Sequence, residues 1–137
     1  MISARPGTIV TMERVINKAS HATVAEAVAR LIAEVEARCM KLFTTIDHGA
    51  EPGATGPERR ETKLVVFDNP RTGTSIMQAA PVAGLDLPLK VLVRADPGRT
   101  CVSYTTPAEL AARYQLSDEL AAGLAGIDAL TDAAVGR

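Results

Sequence analysis

The stretch "TVAEAVARLIAEVEAR", Thr23 to Arg38, has one dry side and one wet side, and that asymmetry limits what the chain can become. Val24, Ala27, Val28, Leu31 and Val35 recur at helical spacing and form a single apolar stripe. Glu26, Arg30, Glu34 and Arg38 line the opposite side as alternating charges four residues apart. Thr23 and Glu26 are placed to form a capping box that fixes where the helix begins. A helix with one stripe has to lie on another layer, and the flanking segments, rich in β-branched residues, supply a sheet.

The first strand is expected within "TIVTMERVINK", Thr8 to Lys18, with one wet face. "MKLFTTID" and "KLVVFDN" are the second and third strands, "LPLKVLVRAD" and "TCVSYTT" the fourth and fifth. "DPGR" between the last two is hairpin-turn chemistry. In the second strand, strict alternation puts Leu42, Thr44, Ile46 and His48 on one side and Lys41, Phe43, Thr45 and Asp47 on the other.

A short helix is expected in "NPRTGTSIMQAAP", capped by Thr74 or Ser75 and closed by Pro81. "TPAELAARY" opens with Thr106 as cap, Pro107 in the first position and Glu109 completing the box. Ser117 opens a final helix with the stripe Leu120, Leu124, Ile127 and Leu130. Within it, Gly123 and Gly126 weaken helix formation or let another backbone approach closely. The order is an α+β fold: a single antiparallel-rich sheet of about five strands covered by helices.

Residues 1–137 are expected to make one domain, since 137 residues with 47% hydrophobic and 23% charged content can bury a core without staples. Fifteen basic residues against 16 acidic ones leave a formal charge of −1, which gives no electrostatic case for nucleic acid. Glu58 and Glu61 flank Arg59 and Arg60, so that pair reads as a solvated patch. No apolar run approaches the roughly 18 residues of a membrane span, and "MISARPGTIV" lacks the pattern of a signal peptide. The expected setting is cytoplasmic, with Cys39 and Cys101 as reduced thiols.

The chemistry-bearing residues gather between Thr44 and Ser75. Asp47 and His48 end the second strand, Asp68 and Asn69 the third, with the loop 49–62 between them holding Gly49, Gly53, Gly56, Pro52 and Pro57. Adjacent strand residues point to opposite faces, so Asp47 and His48 cannot form a dyad within regular strand. The pairing to test runs across the loop: His48 as general acid or base, with Asp68 or Asn69 orienting it. The competing reading makes His48 a hydrogen-bonded rim residue and Asp68-Asn69-Pro70 ordinary turn chemistry. Arg71, Thr74 and Ser75 offer charge, hydroxyls and a helix start to an anionic or carbonyl oxygen, although the lysine and spacing of a P-loop are missing. Lys90 breaks an apolar strand and suggests a ligand or subunit contact. His21, His48, Cys39 and Cys101 have no metal-ligand spacing, and neither cysteine has the context of a nucleophile.

"TTIDHGA", "TKLVVFDNP", "GTSIMQAAP" and "GLDLPLKVLV" occur in the order and approximate spacing of domain-of-unknown-function family 302, which this chain resembles from about Val15 to Leu116. The resemblance implies an α+β fold like that of the TATA-binding protein, with one antiparallel sheet, helices on one face, and often a dimer. It implies no activity and no DNA binding. The family's usual glycine before Asn-Pro is Asp68 here, and the intervening loop is more polar than its counterparts.

Two functions follow as expectations. One is a small-molecule-binding protein without organic cofactor or metal, extending to an acid-base enzyme in which His48, Asp68 and Asp47 act and Asn69, Arg71, Thr74, Ser75 and Lys90 bind. Its pocket would lie near the 44–75 strand ends. The other is a non-catalytic homodimeric ligand-binding or interaction module. A metal or haem carrier using His48 with Met77 or Cys101 is a third possibility, to be tested by metal analysis and a visible spectrum.

Overall fold

A computed structural model describes residues 10–12, 14–50 and 61–136. Six strands, β1 (Val10–Met12), β2 (Val15–Ser20), β3 (Lys41–Asp47), β4 (Thr62–Asp68), β5 (Leu89–Asp96) and β6 (Arg99–Thr105), form one sheet. Their order is β1-β2-β6-β5-β4-β3, and every neighbouring pair is antiparallel. The helices are α1 (Val24–Ala37), α2 (Pro70–Ala79), α3 (Pro107–Tyr114), α4 (Asp118–Ala122) and α5 (Gly126–Val135). Short 3-10 turns occupy His48–Ala50 and Pro81–Leu85. The α+β reading holds, with β1 added to the five expected strands.

Both sides of α1 are as the spacing requires. Val24, Ala27, Val28, Leu31 and Val35 are buried, and the Thr23–Glu26 capping box is complete. The stripe meets the side of the sheet that carries Val65, Phe67, Val91, Val93, Val102 and Tyr104, with α5 beside it contributing Ile127, Leu130 and Ala134. The Asp96–Arg99 hairpin closes through Pro97 and Gly98, the latter at φ +76°. Proline followed by a positive-φ glycine is the signature of a type II turn.

Four expectations need correction. The expected first strand folds back on itself as β1 and β2, turning at Arg14; Thr8 and Ile9 lie outside the described residues. In β3 the register shifts between Leu42 and Thr44, so the strict alternation fails there. A bulge of this kind adds one residue to one strand and flips the side chains after it. The final helix breaks at Gly123, which ends α4, and α5 starts afresh at Gly126. A Cβ on Gly123 would stand 2.7 Å from Thr72 Cγ2, so that glycine does serve a close approach between helices. In α3, Thr106 caps the amide of Glu109, but the Glu109 carboxylate turns to Arg113 and Arg14 instead of completing the box.

Antiparallel order sorts the loops to two ends of the sheet. The end of β4, the start of β5 and the end of β6 lie together, so α2, the Pro81–Leu85 turn and α3 all gather at that end. The end of β3, the start of β4 and the Asp96–Arg99 turn lie at the other end.

Candidate functional site

The β3–β4 register decides whether the candidate acid-base pair can exist. Asp47 lies opposite Lys63, and Lys41 lies opposite Asp68. Five residue steps along β4, from Lys63 to Asp68, therefore separate the His48 end of the hairpin from Asp68, about 17 Å at the rise of an antiparallel strand. His48 and Asp68 do not meet, and neither do His48 and Asn69. In any hairpin the end of the first strand meets the start of the second, and this rule overrides the proximity suggested by the loop.

At the His48 end, both Asp47 and His48 are exposed. Asp47 Oδ1 accepts the amide of Gly49 at 3.0 Å, a strand-end turn that leads into the 3-10 segment. His48 is thus displaced from the core rim where alternation would place it. The part of the expected pocket wall formed by residues 51–60 lies outside the described residues.

At the other end, Asp68 is 5% exposed and its Oδ1 accepts the amide of Asn69 at 2.9 Å. Burial pushes its carboxyl above the usual carboxylate range, against the lowering effect of that one hydrogen bond. Asn69, and not Thr74 or Ser75, caps α2, because Pro70 fits the first helical position. Its Oδ1 accepts from Arg71 N at 3.0 Å and Thr72 N at 3.4 Å, while Gly73 N donates to the Asn69 carbonyl. The first-turn amides are therefore occupied within the chain. Thr74 and Ser75 sit exposed inside the helix, and Ser75 Oγ donates back to the Arg71 carbonyl. Arg71 is exposed as well. The anion-binding reading of this helix start loses its free donors.

The concave region lies beside these groups, around a residue the sequence reading passed over. Asp86 lines two adjoining clefts and shares both with Leu110. Ile76, Ala83, Leu87 and Leu124 wall the first, which is apolar. Leu89, Lys90, Thr105 and Ile127 wall the second. Asp86 Oδ2 accepts from Tyr114 Oη and from Arg113 Nη1, the latter at 2.7 Å. Tyr114 foremost, then Arg113 and the charge of Lys90, hold the Asp86 carboxyl below its ordinary value. Lys90 is exposed, and its Nζ donates to the Pro88 carbonyl at 3.2 Å. The available signal was "GLDLPLKVLV", which contains both Asp86 and Lys90; Tyr114 had none.

A second polar cluster was also missed. Lys18 is 3% exposed, and its amine donates to Asp128 O at 3.0 Å and Thr131 Oγ1 at 2.7 Å. It pairs with Asp132 at 2.8 Å and lies over the Tyr104 ring, while Tyr104 Oη donates to the Asp128 carboxylate. Three acceptors match the three protons of an ammonium, so the cluster is complete in itself and pins α5 to the sheet.

The comparisons with known proteins agree on the fold and leave the activity unnamed. The family model described as "Domain of unknown function DUF302" matches residues 16–134. A crystal structure of an uncharacterised conserved DUF302 protein from Bacillus stearothermophilus superposes with a TM-score of 0.72 at 16% identity, covering 90% of this chain and 97% of that one. Two curated relatives are each named "Fluoride-specific ion channel FluC 1", and both are 38% identical over 98 residues. The one from Brucella suis matches 71% of this chain and 39% of its own length, and the one from Brucella abortus 71% and 36%. This chain therefore spans well under half of those relatives. Among the described residues no helix is long and apolar enough to cross a membrane.

Proposed function

Because the chain belongs to the DUF302 family, which is defined by sequence and fold and not by a reaction, we propose from its own geometry that it is a non-catalytic ligand-binding module. The observation that carries this reading is the separation of His48 from Asp68 along the β3–β4 hairpin. An acid-base site needs its groups within hydrogen-bond reach of one substrate atom. Here the exposed histidine and the buried acid sit at opposite ends of the sheet, and the described clefts lie at the Asp68 end. Binding chemistry belongs to that end, with Lys90 as one of its groups. The proposed setting is cytoplasmic.

The test is ligand-observed NMR against a panel of small metabolites, recording both binding and loss of each compound. The expected result is binding without consumption, unchanged by His48→Gln. Consumption of a compound that stops in the His48→Gln variant overturns the reading.

A second reading, an interaction module, is favoured by the edge strand β3, whose Phe43 and Ile46 are 47% and 42% exposed. A long edge strand with apolar side chains in water invites pairing with another strand. A homodimer through β3 is the simplest such assembly. The partial match to proteins named as channels fits the same reading, with the shared segment serving as an attached domain. Light scattering of the wild-type chain and of Ile46→Lys tests it: a dimer converted to monomer supports the homodimer, and a monomeric wild type overturns it.

A further inference from the structure

Strand register gives the sheet a second apolar surface. Ile46 lies opposite Leu64, and Leu64 lies opposite Leu92, so three aliphatic side chains form a row across β3, β4 and β5. Every strand residue in the core has the other parity, Val65, Val91 and Val93 among them. The row therefore faces away from the helices, on the open side of the sheet. Val66, next on the same side of β4, is 9% exposed yet is no part of that core. Leu64 and Leu92 are half-buried, and Ile46 is exposed.

Charge on this side has one sign in excess. Lys90 and Arg94 stand two residues before and after Leu92, so both share its face. Arg99, paired across the turn with Asp96, lies on that face as well. Asp96 is shared between Arg94 at 3.5 Å and Arg99 at 3.6 Å. Three cations thus meet one acid along this side of β5 and β6, in a chain whose formal charge is −1. The Lys90 amine bonds the Pro88 carbonyl, whereas an ammonium carries three donors.

These groups discriminate among possible occupants. A second copy would bring the same face, and a two-fold contact would set cations against cations. A bilayer takes up side chains that reach about 5–10 Å into it. Leu64, Val66 and Leu92 instead sit nearly flush with the sheet. An amphipathic helix supplies its own protruding side chains, as α1 does to the opposite face with Val28, Leu31 and Val35. With carboxylates beside its apolar stripe, such a helix also answers Lys90 and Arg94.

We propose that the open sheet face around Leu64 and Leu92 is a docking surface for an acidic amphipathic helix of another protein. The proposal goes beyond small-ligand binding. It is also independent of a β3 homodimer, which would form through backbone hydrogen bonds at the sheet edge.

The probe is a synthetic peptide with a leucine stripe flanked by glutamates, about 16 residues long, so that as a helix it matches the length of β4. A second peptide carries lysines in place of the glutamates. The intact, methyl-labelled chain is titrated with each and followed by NMR. The glutamate peptide should move the methyl groups of Leu64 and Leu92 and leave those of Leu31 and Leu130 in place. The lysine peptide should bind at least roughly tenfold more weakly. Lys90→Glu, at an exposed position, should weaken the glutamate peptide by roughly tenfold and strengthen the lysine peptide, with the core methyls reporting an unchanged fold. Leu64 and Leu92 left unmoved by the glutamate peptide overturn the proposal. Equal affinity for the two peptides overturns it too, because charge would then play no part. Vesicles of phosphatidylglycerol and phosphatidylcholine that move these methyls when the glutamate peptide does not would make the face a membrane surface. Shifts of the same methyls on dilution of the chain alone would assign the face to a second copy, and either of these last results overturns the proposal.

Discussion

The carboxylate of Asp68 fills the space that Gly73 leaves empty: a Cβ at residue 73 would stand 2.5 Å from Asp68 Oδ2. An acid at the end of β4 and a glycine in the first turns of α2 are therefore one feature. Glycine inside a helix normally costs about 1 kcal/mol against alanine, so Gly73→Ala would ordinarily stabilise. With Asp68 present, the new methyl must displace a buried carboxylate, and overpacking of that kind costs about 1–3 kcal/mol. The expected result is a change of sign: Gly73→Ala destabilises the wild-type chain and stabilises the Asp68→Gly background. Urea unfolding of the two single variants and the double variant measures the coupling.

Asp68 also makes stability depend on pH. Burial raises its folded-state pKa above the unfolded value, so the folded protein holds that proton more tightly. Above the folded pKa the carboxylate is charged in both states, and its burial penalty is fully present. As pH falls through the folded pKa toward the unfolded one, the penalty is relieved. Below the unfolded value it has vanished. Asp68→Asn should therefore raise the urea midpoint at pH 7, and its advantage over wild type should shrink as pH is lowered through that window. A constant difference between the two proteins at every pH would show that Asp68 is not the titrating group.

The contrast between Asp68 and His48 shows how far the sequence was legible. Patterns carried by one element were readable: the α1 stripe, the Thr23 and Thr106 caps and the Asp96–Arg99 turn all depend on residues a few positions apart. Element order sufficed for an antiparallel sheet covered by helices. Strand parity failed in β3 because a bulge changes the count, and nothing in "KLFTT" marks it. The expected pairing of His48 with Asp68 or Asn69 failed for a different reason. Closeness across a loop was judged from the loop, whereas a hairpin places Asp68, at the far end of β4, five positions from Lys63, the partner of Asp47. Lys18 escaped notice because its partners Asp128, Thr131 and Asp132 are more than a hundred positions away, on a helix whose rotation only packing determines.

The end of α1 offers a stabilising change. Cys39 takes φ +57°, its amide bonds Glu36 O, and the amide of Met40 bonds Val35 O at 3.0 Å. This is a Schellman motif, in which the left-handed residue is usually glycine because a Cβ is strained there. Cys39 is exposed, so its side chain contributes little packing. Cys39→Gly should raise stability by about 1 kcal/mol, after the greater unfolded-state freedom of glycine is set against the relieved strain. Denaturant unfolding at fixed temperature checks this, and Cys39→Ala, which keeps the Cβ, should show no gain.

Lys18 sets the attachment of α5. Its amine has left water almost completely, and Asp128 O, Thr131 Oγ1 and Asp132 Oδ1 replace the solvent. Removing the amine leaves the buried acceptors Asp128 O and Thr131 Oγ1 without their donor, at a cost of about 1–3 kcal/mol each. Lys18→Met, close in length but without charge, should therefore destabilise strongly and expose α5 first in hydrogen exchange. Asp132 is 46% exposed, and water can take its place beside the amine. Asp132→Asn should cost less than about 1 kcal/mol, the range of a solvent-screened pair. Equal losses for the two variants would mean that the ion pair, and not the buried amine with its two uncharged acceptors, holds the helix.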